Sequence, residues 1–288
     1  MEDPIACPNC MEPLSKEEQV WTCANKHAFD VSKEGYLNLL LPNKKKSNDP
    51  GDTKQMIRSR EDFLSTGTFD FLIDRLKTEI VTLYKESITE DKQGLALDLG
   101  CGSGYYNRHL FESPLFQRIG IDISKNAASI AARIDKESLY LVGSVFSVPV
   151  LDQTVDMLLN IFSPLELKEA HRLLKEGGHL IKVVPGKKHM VEISEMIYEK
   201  VIEHSSDFEK KVNSFEGLSI HSQFQLEQKV TICSENLLSW ISMTPFFYKF
   251  EKAELSKLKG QEVTLSFGVY IVRKEVHASS DSPPPHTI

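Results

Sequence analysis

Cysteine and long apolar runs are both scarce in this chain of 288 residues, which contains only 5 Cys. So few cysteines argue against a disulfide-stabilised secreted scaffold. The start, Met1-Glu-Asp-Pro, has neither the basic charge nor the apolar stretch of a secretory leader. No apolar run approaches the roughly 20 residues of a membrane span. The sequence therefore predicts a soluble, cytoplasmic protein with no membrane partner.

Positive charge is also in short supply, since 34 Lys and Arg face 41 Asp and Glu and the net charge is -7. This balance argues against nucleic-acid binding by the chain as a whole, because such binding is driven largely by phosphate contacts. Two basic runs, Lys44 to Lys46 and Lys187-Lys188, depart from it. Each is interpreted either as a solvated surface or as a local contact for RNA.

Four residues near the N-terminus, Cys7, Cys10, Cys23 and His27, follow the pattern C-x2-C and C-x3-H. Three thiolates and one imidazole in two close pairs are the ligand set of a tetrahedral zinc site. The alternative, a disulfide, is disfavoured in a reducing compartment. Four protein ligands leave no open coordination position, so the predicted zinc is structural. Metal binding would supply on the order of 10 kcal/mol toward folding this small segment.

The order of apolar segments predicts four regions along the chain. These are a zinc-binding module (1–41), a linker with two leading helices (42–88), a core (89–275) and a disordered tail (276–288). In the core, short apolar strands alternate with amphipathic helices, which is typical of a three-layer α/β fold. Strands are predicted over 95–99, 118–123, 139–142, 155–161, 179–184, 228–233 and 262–273. Helices are predicted over 53–65, 69–85, from 105, and over 124–134, 165–174, 192–204 and 234–243.

A glycine loop, Asp98-Leu-Gly100-Cys-Gly102-Ser-Gly104, follows the first core strand. A dinucleotide fold would place its third glycine at the position of Tyr105, and the Lys-Ser/Thr of a phosphate loop is absent. The pattern that remains is the loop for S-adenosylmethionine, in which Asp98 meets the cofactor's ammonium through water. The predicted fold class is therefore a class I S-adenosylmethionine-dependent methyltransferase, Rossmann-like, with a mostly parallel seven-stranded sheet.

Further site residues are predicted at the ends of the next three strands. Asp122 is expected to bind the ribose hydroxyls, although it could instead cap the helix near Lys125. Ser144 and Val145 are expected at the adenine edge, with helix capping as the alternative for Ser144. In the segment from Asn160 to Pro164, Asn160 is expected to orient a flipped base and Phe162 to stack on it, unless Phe162 belongs to the core.

The chain resembles the zinc-containing ribosomal RNA large-subunit guanine-N1 methyltransferases over nearly its whole ordered length. The shared motifs are C-P-x-C from Cys7 to Cys10, C-x3-H-x-F-D from Cys23 to Asp30, K-E-G-Y-x-N-L-L from Lys33 to Leu40, D-P-G-D from Asp49 to Asp52, D-x-G-C-G-x-G-Y-Y from Asp98 to Tyr106, P-G-x-x-H from Pro185 to His189, and M-T-P-F from Met243 to Phe246. The blocks at Lys33 and Pro185 are not general to methyltransferases.

The resemblance implies methyl transfer to N1 of a guanine in a hairpin loop of 23S rRNA by a homodimer whose zinc module helps to recognise the RNA. It places cofactor contacts on Ser103, Gly104, His189 and Phe69. Other members have Tyr at the position of Phe69, so this chain lacks the hydroxyl group there. Which of two neighbouring guanines is modified, and whether antibiotic sensitivity changes, stay open. Guanine N1 must lose a proton, and Glu166 and His189 are considered as bases without a choice between them.

Two other functions compete with this interpretation. A small-molecule methyltransferase would explain the glycine loop but would not need the zinc module or the linker lysines. A non-catalytic zinc-containing RNA-binding or assembly factor would explain the module but would not need the glycine loop with Asp122. A DNA partner is not expected, because the ligand set is Cys3His and no finger-type recognition helix separates the two ligand pairs.

Overall fold

A computed structural model of the protein describes residues 4–42, 51–88, 92–111, 114–198, 206–233 and 260–276. The predicted helix over 234–243, the M-T-P-F motif, the lysines of the linker and the tail from residue 277 lie outside the described residues. Among the helices that are described, none has the length and apolar character needed to cross a membrane.

The N-terminal module is a small antiparallel sheet of three strands, β1 (Leu14–Glu17), β2 (Val20–Cys23) and β3 (Ala28–Asp30). A short strand β4 (Leu37–Asn38) follows. Two helices then lead into the core, namely α1 (Lys54–Leu64) and α2 (Asp70–Ser87). The side chain of Thr53 caps the start of α1 by accepting a hydrogen bond from the N–H of Met56. Both helices were predicted from the sequence.

The core continues in chain order with β5 (Gly94–Leu99), α3 (Tyr105–Leu110), β6 (Phe116–Asp122), α4 (Lys125–Ile134), β7 (Leu139–Val142), β8 (Val155–Ile161), α5 (Leu167–Leu173), β9 (Leu174–Pro185), α6 (Val191–Tyr198), α7 (Phe208–Asn213), β10 (Leu218–Ile232) and β11 (Gln261–Lys274). Within the described residues, the sheet has eight strands in the order β10-β11-β9-β8-β5-β6-β7-β4. The pairs β10–β11 and β11–β9 are antiparallel, and the other described pairs of this sheet are parallel. The seven predicted strands are thus confirmed, and β4 adds an eighth.

Strand β5 lies at the point where the chain order of the sheet reverses, between β6 on one side and β8 on the other. All six of its residues are buried, as expected for a central parallel strand covered on both faces. In open α/β sheets, ligands bind beyond the carboxyl ends of the strands at such a reversal. The glycine loop from Gly100 to Gly104 leaves β5 at this place, so the fold positions it for ligand binding.

Besides β4, three elements of the core differ from the sequence-based expectation. Strand β10 begins at Leu218, ten residues before the predicted start, and its apolar and polar residues alternate because one face is exposed at the sheet edge. Helix α7 was not predicted. Strand β9 begins at Leu174, before the predicted start at His179, and its pairing with β8 shifts register between Val155 and Met157.

The zinc module packs directly on the sheet. Strand β4 pairs in parallel with β7, and the N–H of Ala6 donates to the carbonyl of Pro149 at 3.0 Å. Ile5, Trp21 and Leu37 belong to the same buried cluster as Leu97 of β5. The hydrophobic core is therefore continuous between the two regions, even though the sequence suggests a boundary near residue 41.

Candidate active site and zinc centre

The four predicted zinc ligands converge at one point of the N-terminal module. Their ligand atoms all lie within 4.8 Å of one another. The Sγ atoms of Cys10 and Cys23 are 3.8 Å apart, and Nδ1 of His27 lies 3.4 to 3.6 Å from the three sulfurs. A tetrahedral ion with bonds of about 2.3 Å to sulfur and about 2.0 Å to nitrogen requires separations of about 3.8 and 3.5 Å. The cluster fits a structural zinc ion, with His27 binding through Nδ1.

Three glycines of the loop after β5 adopt left-handed backbone angles, namely Gly100 (φ +81), Gly102 (φ +55) and Gly104 (φ +75). A side chain would also meet neighbouring atoms at two of them. A Cβ on Gly100 would lie 2.5 Å from Cβ of Ser163, and one on Gly104 would lie 2.3 Å from the hydroxyl oxygen of Tyr140. Glycine is therefore required here both by conformation and by space.

Asp98 ends β5 with an unusual carboxyl group. The residue is only 2% exposed, and its Oδ2 has no hydrogen-bond partner among the residues that the structure describes. Burial, with a further contribution from the charge of Asp122, raises its pKa to about 8. A buried acceptor without a partner is costly, and a cationic ligand would relieve that cost. Asp98 thus fits the ammonium of S-adenosylmethionine.

Asp122 connects the end of β6 to the glycine loop. Its Oδ2 accepts the N–H of Gly102 at 2.9 Å, and its Oδ1 accepts the N–H of Ser124 at 2.8 Å. Burial raises its pKa. Ser124 itself caps α4, since its hydroxyl accepts the N–H of Ala127. Each carboxylate oxygen of Asp122 keeps a second lone pair for a ligand hydroxyl.

Helix α1 contacts the glycine loop, although nothing in the sequence predicts this contact. The hydroxyl of Ser103 donates to Oε2 of Glu61 at 2.5 Å. Arg108 of α3 donates to the other carboxylate oxygen of Glu61 and, at 3.1 Å, to the carbonyl of Ser103. Glu61 precedes Ser103 by 42 residues, and nothing in the sequence marks a contact between them. Only the structure therefore places α1 at the site.

An aromatic cluster borders the end of β8. Phe162 is 41% exposed and holds a left-handed backbone angle (φ +53), which is uncommon for a residue with a bulky side chain. Its ring lies 5.4 Å from that of Phe267 and 6.4 Å, nearly parallel, from that of His189. Phe69 is 3% exposed and packs edge-on against Phe267. The cluster brings together three predicted residues and adds Phe267 from β11.

Asn160 is fully buried beside this cluster, and its side-chain amide is hydrogen-bonded to neighbouring groups of the protein. Its Nδ2 lies within hydrogen-bond distance of three oxygens, the carbonyls of Leu99 and Pro164 and the hydroxyl of Ser163, and its Oδ1 accepts from Lys182. Ser163 in turn abuts Gly100. This geometry fixes the loop after β8 against the glycine loop, and the expected role of Asn160 in orienting a base stays a prediction.

Lys182 supports the same loop from β9. It is 7% exposed, and its Nζ donates to Oδ1 of Asn160 and, at 2.6 Å, to the carbonyl of Ser163. Burial lowers its pKa from 10.5 to about 8. Between these values the unfolded chain binds a proton that the folded protein has lost, so the stability rises with pH across this window.

We expect the free energy of unfolding of the wild-type protein to rise by about 3 kcal/mol between pH 8 and 10.5, relative to the Lys182→Met variant. Urea denaturation at several pH values measures the difference. Parallel pH profiles for the two proteins would show that Lys182 is not the buried cation described here.

Ser144 and Val145, predicted at the adenine edge, follow β7. The hydroxyl of Ser144 accepts the N–H of Phe146 at 3.2 Å, and the residue closes a short turn with Ser147. A cavity of about 150 Å³ opens beside this turn, between the zinc module and the core. It is lined by Pro8, Met11, Leu39, Leu40, Leu41, Ser144, Ser147 and Pro149.

Two family profiles match the chain. The profile described as "RlmA, N-terminal", a zinc ribbon, matches residues 5–48, and one described as "Methyltransferase domain" matches residues 97–182. These matches coincide with the Cys3His cluster and with the sheet from β5 to β9. They confirm the predicted zinc module and the predicted S-adenosylmethionine-dependent core.

Curated relatives align along most of the chain. YxjB of Bacillus subtilis, provisionally named a 23S rRNA (guanine-N1)-methyltransferase, is 28% identical over 93% of this chain and 96% of its own length. The 23S rRNA (guanine(748)-N1)-methyltransferase of Streptomyces fradiae is 30% identical over 66% of each chain. Among solved structures, a provisionally named methyltransferase of Bacillus halodurans superposes with a TM-score of 0.48 and 13% identity, covering 69% of this chain and all of its own. The protein belongs to the RlmA-type family of zinc-containing, S-adenosylmethionine-dependent methyltransferases.

Proposed function

We propose that this protein transfers a methyl group from S-adenosylmethionine to N1 of a guanine in a hairpin loop of 23S rRNA. The observation that carries the proposal is the position of Phe162. Its exposed ring lies in the loop that abuts Gly100, so an aromatic surface stands beside the glycine loop. A flipped base can stack on such a ring and be held next to the cofactor.

The bound cofactor supplies an activated methyl group on a sulfonium, and the protein supplies positioning and exclusion of water. Asp98 offers a buried acceptor for the ammonium, and Asp122 offers lone pairs to the ribose hydroxyls. Ser103 and Gly104 belong to the loop that the methionyl group approaches, while Ser144 and Val145 border the expected adenine position. Phe69 and His189 pack around the same space through Phe267.

We assign Phe162 as the stacking surface for guanine and Asn160 as a positioning residue. Asn160 holds the segment from Phe162 to Pro164 in place through its bonds to Ser163 and Pro164. The strained backbone of Phe162 depends on this support. His189 accepts the N–H of Ser266 at Nδ1, which leaves Nε2 as the protonated nitrogen of the neutral ring. His189 thus presents a donor at Nε2 rather than a base.

Replacing Phe162 by alanine is expected to lower kcat/KM for RNA roughly 10- to 100-fold, because stacking of a base on an aromatic ring contributes about 1–3 kcal/mol. The affinity for S-adenosylhomocysteine should change less than threefold. Phe162→Tyr keeps the ring and should restore most of the rate. Methylation of 23S rRNA with labelled cofactor, together with calorimetry of S-adenosylhomocysteine, measures both quantities. Equal rates for wild type and Phe162→Ala would contradict the stacking role.

The two competing functions predict different results with the same protein. A small-molecule methyltransferase would not label 23S rRNA, whatever the state of the zinc module. A non-catalytic RNA-binding factor would have no affinity for S-adenosylhomocysteine. The curated relatives named above favour the ribosomal RNA substrate. A cytoplasmic location follows from that substrate, and the homodimer stays a prediction from the resemblance.

A further inference from the structure

A cation whose position the sequence does not predict lies next to the glycine loop. Arg60 on α1 places Nη1 of its guanidinium 3.6 Å from the position that a Cβ on Gly102 would occupy. Its Nη2 pairs with Oδ2 of Asp52 at 2.7 Å. The guanidinium therefore covers the face of the loop where the missing side chain allows a ligand to approach.

The position of Arg60 is fixed from the core through Asp52. The carbonyl of Asp52 accepts the hydroxyl of Ser124 at 3.0 Å, directly after the strand that carries Asp122. A Cβ on the preceding Gly51 would lie only 2.9 Å from Cβ of Ser124, so the chain passes very close to this point. Asp52 thus links α1 to the end of β6 and holds the guanidinium in place.

The charges around the glycine loop indicate which group of a ligand Arg60 would bind. Asp98 and Asp122 present carboxyl groups to the site, and Arg108 is engaged by Glu61 and by the carbonyl of Ser103. The methionyl group of the cofactor carries an ammonium and a carboxylate. Asp98 suits the ammonium, but the carboxylate would be repelled by these acidic residues unless a cation faces it. A guanidinium has five N–H donors, so Arg60 can bind Asp52 and a second carboxylate together.

We propose that Arg60 binds the carboxylate of the methionyl group of S-adenosylmethionine, with Asp52 as a positioning residue. This inference rests on the cofactor use described above. It gives α1 a part in the site, because the helix that contacts the glycine loop supplies the counter-charge for one end of the cofactor.

The test combines a protein variant with a ligand variant. Decarboxylated S-adenosylmethionine lacks only the carboxylate. Calorimetry on the wild-type protein should show that it binds roughly 10- to 100-fold more weakly than S-adenosylmethionine. In Arg60→Gln that difference should fall below about threefold, because the partner of the carboxylate is gone. Arg60→Lys keeps the charge without the planar fork and should lie between the two. Arg58→Gln makes the same charge change on an exposed position of α1 and should behave as wild type.

The outcomes separate the possible failures. If Arg60→Gln weakens both ligands equally, Arg60 only holds α1 in place and the inference is overturned, as it also is if neither ligand is affected. If the wild-type protein binds neither ligand, the proposed function itself fails. Thermal unfolding of every variant checks the fold. If Arg60→Gln is unfolded, the ratio of the affinities of Arg60→Lys for the two ligands is the deciding measurement.

Discussion

Cys10→Ser is expected to lose the zinc ion and to destabilise the protein by several kcal/mol. Structural zinc contributes on the order of 10 kcal/mol in small modules, and serine is a poor substitute for a thiolate ligand. The effect should reach the main sheet, because β4 pairs with β7 and the N–H of Leu151 donates to the carbonyl of Pro4 at 2.8 Å. Loss of zinc therefore exposes part of the hydrophobic core.

The control for this variant is Cys233→Ser, which changes an exposed free cysteine at the end of β10. It should keep one zinc ion per chain and the wild-type stability. Metal analysis and urea denaturation of the two variants give the comparison. We also expect limited proteolysis of Cys10→Ser to begin within residues 4–42. Full zinc content, or an unchanged free energy of unfolding, would show that the Cys3His cluster does not hold the metal that organises this module.

Asp98→Asn is expected to weaken S-adenosylhomocysteine binding roughly 10- to 100-fold, the loss of one charge-assisted hydrogen bond. Its pKa of about 8 means that Asp98 is mostly protonated at pH 7 in the free protein. An ammonium beside it favours the carboxylate, so ligand binding at pH 7 should release close to one proton. Calorimetry in buffers of different ionisation enthalpy counts the proton. Asp74→Asn, an exposed change on α2, should keep both the affinity and the proton release.

The Asp98→Asn change should have the opposite effect on stability from its effect on ligand affinity. Because burial raises its pKa, the folded protein holds a proton between pH 3.8 and about 8 that the unfolded chain has lost. The stability of the free protein should therefore fall as the pH rises through this window. Asp98→Asn removes that dependence and should be the more stable protein at pH 8, although it binds the ligand more weakly. A variant that lost affinity and stability together would point to general damage instead.

The zinc centre and the glycine loop could be predicted because their chemistry depends on residues that are close in sequence. Two pairs of ligands, with two residues between the members of one pair and three between those of the other, define a metal site. Glycines at alternate positions define a loop that a ligand approaches. The parallel strands were predictable for a similar reason. Strands buried on both faces contain uninterrupted apolar stretches, such as Leu95 to Leu97 in β5 and Met157 to Leu159 in β8.

The parts that escaped prediction depend on contacts between distant segments. Nothing local shows that Glu61 would meet Ser103, or that Arg60 would lie next to Gly102. Asn160 was expected to orient a base because it lies at the end of a strand, and nothing local shows that Lys182 from β9 engages its oxygen. In strand β10, the apolar residues of one face alternate with polar residues of the exposed face. No apolar run in the sequence therefore marks the length of this strand.

The most direct test of the account is to map the nucleotide that the protein modifies. Purified zinc-containing protein is incubated with 23S rRNA and S-adenosylmethionine, and the RNA is then copied by reverse transcriptase. A methyl group on guanine N1 blocks Watson–Crick pairing, so the account predicts one new stop at a guanine in a hairpin loop, absent when the Phe162→Ala protein is used for the same short time. RNA that is copied without any new stop, under conditions in which the protein binds S-adenosylhomocysteine, would contradict it.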